Sequence, residues 1–162
     1  MSILKEWWGP KFWALLHTLA ECSGYIQSPV ISNDEADAWT ILLKSQPFVM
    51  PCSLCRNHFL EFKTSRRIPN IRLLQGEARR GFLREWLWSC HTNVNMTTQK
   101  ENIPLEELPN LYAKNNQTNN INVLYGDINQ MFAIALERSL LKSEDIKRWK
   151  GVVTRLRMLY GV

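Results

Sequence analysis

Residues 51–62 read Pro51-Cys52-Ser53-Leu54-Cys55-Arg56-Asn57-His58-Phe59-Leu60-Glu61-Phe62, and within them Cys52, Cys55, Phe59 and Phe62 recur at steps of three and four. That spacing puts these side chains on one face of a helix beginning at Pro51. Two cysteines three apart at a helix start lie within bonding reach, and the first thiol meets unpaired backbone N–H groups that stabilise its thiolate. A redox disulfide is one reading of the pair; a zinc half-site and two buried thiols are the others. A thioredoxin-like chain would surround the pair with strand-helix-strand signals, and no strand-type alternation persists anywhere in this sequence. A structural zinc site needs four ligands, usually as two close pairs, but Cys22 and Cys90 stand alone and Cys90-His91 is an adjacent pair. Cys52, Cys55, His58 and His91 or Cys90 could still converge on zinc, which keeps that reading as the alternative.

Working outward, Gly9-Pro10 opens a helix in which Phe12, Trp13, Leu16, Leu19 and Ala20 recur until Ser23-Gly24, with Pro10 suited to the first turn. Ser32 or Asn33 can cap a second, with Asp34 and Glu35 at its positive end and Trp39, Leu42 and Leu43 on its stripe. Lys63 to Gln75 reads as a basic loop, and Glu77 to about Asn95 as a long fourth helix. Pro104 to Tyr112 gives a short fifth helix limited by Pro109. Lys114 to Asn122 is Asn-rich and without apolar period, so it reads as a linker or exposed loop. Beyond it, a helix capped by Asp127 and another opened by Ser143 form a hairpin. The class is all-α.

Composition bounds the rest. The chain has 162 residues, 45% hydrophobic and 22% charged, with a formal net charge of +5, which fits one compact domain plus a small appendage. No apolar run approaches the ~18 residues of a membrane span, and Lys5, Glu6 and Lys11 interrupt the N-terminus where a signal peptide needs its apolar centre. A soluble, cytoplasmic protein that is not itself secreted is expected. Lys63, Arg66, Arg67, Arg72, Arg79, Arg80 and Arg84 face one acid, Glu77, in their stretch. A zinc-stabilised helical module that binds nucleic acid or another partner is thus a second function class. No aromatic residue interleaves Lys63 to Arg80, so a solvated face is favoured over nucleic-acid binding.

Three segments taken together resemble a known family. Trp8-Gly9-Pro10-Lys11-Phe12-Trp13-Ala14-Leu15-Leu16-His17, then Pro51 to Phe59, then Trp86 through His91-Thr92-Asn93-Val94-Asn95 and on to Lys100, resemble the FAD-linked sulfhydryl oxidases of the Erv/ALR type, most of all the short forms of large DNA viruses. The resemblance covers about residues 7 to 112. It implies a four-helix bundle with a short fifth helix around FAD, in an oxidase domain at 1–117, with 118–162 as a helical extension. It implies Cys52 as the thiol that exchanges with substrate and Cys55 as the one next to the flavin. Gly9, Pro10, Trp13 and His17, with Trp86, His91, Val94, Asn95 and Lys100, are implied as the FAD-binding set, and no metal is called for. The implied reaction forms disulfides in protein or small dithiols, or in a thioredoxin-like relay, and passes electrons to molecular oxygen to give hydrogen peroxide. For a viral protein, host cytoplasm or the virion is the implied location.

This chain departs from the family in places. Thr92 replaces an Asn, and the second structural Cys pair is absent, with Trp88 and Leu105 standing about where its members would fall. Cys22 and Cys90 are expected to be buried free thiols. Family members pair through helices one and two, so a homodimer is expected. The hairpin is too small to fold alone, and docking within that dimer is the favoured expectation, with activity on small dithiols surviving its removal.

Overall fold

The computed structural model describes residues 3–116 and 120–162, and among these it has seven α-helices and no strand. In chain order they are α1 (Lys5–Glu21), α2 (Pro29–Ser45), α3 (Ser53–Ser65), α4 (Glu77–Thr98), α5 (Leu108–Leu111), α6 (Ile121–Glu137) and α7 (Ser143–Tyr160). The all-α expectation is borne out.

Helix starts differ from the sequence reading where packing or a better cap wins. α1 begins at Lys5, a turn before Gly9, because Trp8 is buried edge-on against Phe12 with its indole N–H donated to the Ile3 carbonyl. Pro10 therefore lies inside the helix. In α2, Ser28 and Pro29 supply the N-cap and first position, ahead of Ser32. Asn120, not Asp127, caps α6, its side chain accepting the N–H groups of Asn122 and Val123. Asp127 instead pairs with Lys11 at 2.9 Å. Residues 117–119 of the expected linker lie outside the described residues.

One close backbone contact brings the turn after α1 against the start of α4. Gly24 has φ +80°, and a Cβ there would stand 2.1 Å from the Gly76 carbonyl oxygen. Only glycine permits both that conformation and that approach.

Hairpin docking departs from the favoured expectation. α6 packs on α1 and α7 on α2 of the same chain, and Phe12, Phe132 and Trp149 meet edge-on or tilted in one core. Trp149 donates to Gln46 Oε1 at 2.7 Å, and Trp39 to the Tyr160 hydroxyl at 2.8 Å. One side of α1 and one side of α2 are thus taken up by α6 and α7 of the same chain, while Val30, Ile31 and Ile41 of α2 stay exposed.

The basic stretch is not uniformly a solvated face. Arg79 is fully buried and paired with Glu35 at 2.7 Å, and Glu35 also accepts the Tyr160 hydroxyl and the Gly24 N–H. Arg84 pairs with Glu21, Arg66 with Glu85 and Arg72 with Asp37, while Arg80 lies over the Tyr25 ring. Their charge is largely committed within the chain.

Candidate active site

Cys52 takes the N-cap of α3, and its Sγ accepts the Cys55 N–H at 3.2 Å. Arg56 fixes the preceding turn by donating to the carbonyls of Pro47 and Met50. With Cα atoms 5.2 Å apart, Cys52 and Cys55 form a disulfide. Cys55, and not Cys52, lies in the wall of a cavity of about 230 Å³ together with Trp8, Trp13, His58 and Val94. Cavity lining distinguishes the two cysteines: Cys55 belongs to it and Cys52 does not, although both are half-buried.

A second cavity of about 280 Å³ shares Lys5, Gly9, Trp13, Val94 and Thr98 with the first. These shared walls make the two cavities compartments of one groove between α1 and α4. Pro10, His91, Asn95, Lys100 and Tyr112 line the second compartment. Helical spacing explains the convergence: Gly9 and Trp13 are one turn apart on α1, and His91, Val94, Asn95 and Thr98 follow on one face of α4. Lys100 arrives because Gln99 ends α4 in the left-handed region, φ 55°, which sends the Lys100 N–H back to the Asn95 carbonyl at 3.0 Å.

Rings form a ladder behind the groove. Trp13 stacks on His91 at 4.3 Å and 5°, His17 stacks on Tyr112 at 4.8 Å, and the two imidazoles meet Nε2 to Nδ1 at 3.4 Å. Burial pushes His17 down to about 3, with His91 adding to it, and burial followed by the Lys100 charge pushes His91 down to about 4. Both shifts favour the neutral rings near pH 7, and between neutral rings one nitrogen donates and the other accepts.

Most of the proposed set therefore meets in one place: Gly9, Pro10, Trp13, His91, Val94, Asn95 and Lys100 line the groove, and Cys55 closes one end. His17 stands behind it through His91. Trp86 is elsewhere, fully buried against Phe59 and Phe62 with its indole N–H donated to the Arg66 carbonyl. It is a core residue, because its place on α4 turns toward α3. Lys5 and Tyr112 were missed, and His58, singled out only as a possible zinc ligand, lines the Cys55 compartment. Tyr112 closes a short helix whose packing no local period announces, and Lys5 precedes the expected helix start.

Trp88 and Leu105 belong to one small apolar cluster, and Trp88 donates to the Ile103 carbonyl at 2.7 Å. Apolar contact thus holds the 99–107 segment where a second Cys pair was absent. Cys22 and Cys90 are free and buried, as expected. Burial pushes Cys22 up to about 11 and Cys90 well above the usual thiol range. Among the described residues, no group of three or more His, Cys, Asp or Glu side chains is placed to hold a metal ion, and no helix is long and apolar enough to cross a membrane.

Comparison with known proteins fits this geometry. The FAD-linked sulfhydryl oxidase of a Kenyan pig isolate of African swine fever virus is 26% identical over 113 residues, covering 66% of this chain and 81% of its own. That of a Malawian tick isolate is 28% identical over 111 residues, with the same coverage of 66% and 81%. Protein 347L of Invertebrate iridescent virus 6 is 26% identical over 97 residues, 60% of this chain and 84% of its own. No solved structure gives a significant match. The sequence model of the Erv1 / Alr family matches residues 10–117, which hold both cysteines of the disulfide and nearly all of the groove, and the chain belongs to that family.

Proposed function

We propose that this chain is an FAD-dependent thiol oxidase, with its chemistry in residues 1–117 and the segment from 118 onward serving as their packing partner. The observation that carries the reading is the disulfide at the end of an aromatic groove, with Cys55 in the groove's wall. The groove suits a flavin dinucleotide: the compartment at Cys55 has flat apolar walls in Trp8 and Trp13, and Lys5 and Lys100 supply cations for phosphates. Trp13, His91, Val94, Asn95 and Lys100 would hold it, with Gly9 and Pro10 shaping the wall.

A substrate thiolate attacks Cys52 Sγ, so that a Cys52-substrate disulfide forms, the Cys52–Cys55 bond breaks, and Cys55 leaves as a thiolate inside the cavity. The substrate's second thiolate attacks its own sulfur in the mixed disulfide and releases Cys52. Two substrate thiols become one disulfide, and two electrons rest on the reduced pair. Bound FAD supplies the two-electron acceptor that returns the pair to the disulfide, with molecular oxygen as final acceptor and hydrogen peroxide as product. Cys52 at a helix start is suited to exchange because the Cys55 N–H already points at its sulfur.

The substrate class is a dithiol, either in a protein or in a thioredoxin-like relay, and the viral relatives favour host cytoplasm or the virion as the place of action. The zinc-stabilised alternative has no cluster of ligands behind it, and the committed arginines disfavour nucleic acid. Reconstitution with FAD tests the reading. Yellow protein is expected, with Cys55→Ser abolishing flavin reduction by thiols and Cys52→Ser producing a long-wavelength charge-transfer band. Colourless protein after reconstitution overturns the function; a band in Cys55→Ser instead reverses the two roles.

A further inference from the structure

We propose that His58 is a catalytic residue of this thiol oxidase, an imidazole whose positive charge stabilises the Cys55 thiolate in the cavity. The inference rests on the function proposed above. His58 follows Cys55 by three positions on α3, and residues so spaced are surface neighbours with Cβ atoms roughly 5–6 Å apart. Both side chains lie in the wall of the same cavity. Among the described residues, no hydrogen bond or ion pair engages the His58 ring, and it is only half-buried, outside the core cluster.

The need for such a group follows from how the helix start is used. Cys52 occupies the N-cap and already accepts the Cys55 N–H, so the α3 terminus favours charge on Cys52. Cys55, deeper in an apolar cavity, leaves the disulfide with the bonding electron pair and must carry that charge against Trp8, Trp13, Phe59 and Val94. Lys5 from α1 is the other cationic side chain in that wall; α4 contributes Val94, Thr97 and Thr98, the turn before α3 contributes Met50, and no carboxylate is present. Imidazole is the side chain that can hold a proton while the thiolate exists and release it near neutral pH afterwards. No bond to His58 forms and no electron passes through it.

The test starts from Cys52→Ser holoprotein, which leaves Cys55 as a free thiol, and compares it with the same protein carrying His58→Asn, His58→Gln or His58→Lys. Two readouts report the Cys55 thiolate against pH: the rate of alkylation by iodoacetamide, and the charge-transfer band. Removing the imidazole should raise the midpoint of both by about one pH unit, and His58→Lys should bring it back. An unchanged midpoint in a neutral variant that folds, judged by far-UV circular dichroism, overturns the proposal. So does a lysine variant that leaves the midpoint raised, since wall shape and not charge would then be responsible. His58→Gln carries the comparison if His58→Asn does not fold. Loss of flavin from the Cys52→Ser parent would overturn the function itself, while the alkylation series would still read His58 on its own.

Discussion

The family-matched helices and the C-terminal hairpin use their aromatic residues for different ends. In the first, Trp8, Trp39 and Trp86 are buried while Trp13, His91 and Tyr112 are drawn to a groove. In the second, Phe132 and Trp149 are entirely core, and no hairpin residue lines either compartment of the groove. A helix that leaves a cavity along one side forgoes packing there, and in this molecule its opposite side is covered by the hairpin. The chemistry and the stability that supports it are separated along the chain.

Ending the chain after Gln117 gives the harshest challenge to that division. It uncovers Phe12 on α1, Trp39 on α2 and Gln46 just after it, so the truncated protein should fail to fold as a monomer, read by loss of a cooperative thermal transition. A truncated monomer that keeps its flavin and its Tm would erase the distinction. The buried ion pair comes next: Glu35→Gln leaves Arg79 without its charge partner and should destabilise by about 3–5 kcal/mol in denaturant unfolding. A comparable loss, about 3–5 kcal/mol, is expected for Trp149→Ala, with the stoichiometry of bound flavin unchanged in whatever remains folded. Trp13→Ala should do the reverse, releasing flavin at a smaller loss of stability.

Acid sharpens the contrast from the groove side, since all three histidines lie before residue 92. His17 and His91 are held at about 3 and about 4, below the ordinary value of about 6.5, so the unfolded chain binds more protons between those limits. Stability should therefore fall as pH drops from about 6.5 toward 4, by roughly 3 kcal/mol for each ring and on the order of 6 kcal/mol in all, and a His17→Asn/His91→Asn variant should flatten that limb. The smallest effect is expected for Cys22→Ser and Cys90→Ser, which should keep turnover on a small dithiol and lose only about 1–2 kcal/mol for a buried hydroxyl. Loss of turnover with flavin still bound would make one of these thiols a working redox group.

How much the sequence disclosed depended on whether the deciding contact was local. The Cys52–Cys55 helix start was legible because a helix repeats every 3.6 residues and needs no partner to be read, while His91, Val94 and Asn95 were marked out by the resemblance. Trp86 entered the expected set through the resemblance alone; it stands five residues before His91, about 140° round the helix, and faces α3 instead of the groove. Arg79 looked solvated because nothing beside it in the chain shows that Glu35, 44 positions away, is its partner. The hairpin's apolar stripes were plain, yet whether they met this chain or a second copy was a question of geometry that stripes do not contain.

The hydrogen bond from Trp149 to Gln46 joins residues 103 positions apart. At a synthesis rate of roughly 5–20 residues per second, α1 and α2 leave the ribosome roughly 5–20 s before α7 can reach them. During that interval Phe12, Trp39 and their neighbours have no cover, while Cys52 and Cys55, only three apart, are already within reach of each other. The nascent chain thus has its redox pair in place before it can close its core, and a holding chaperone has its opportunity in the gap between the two.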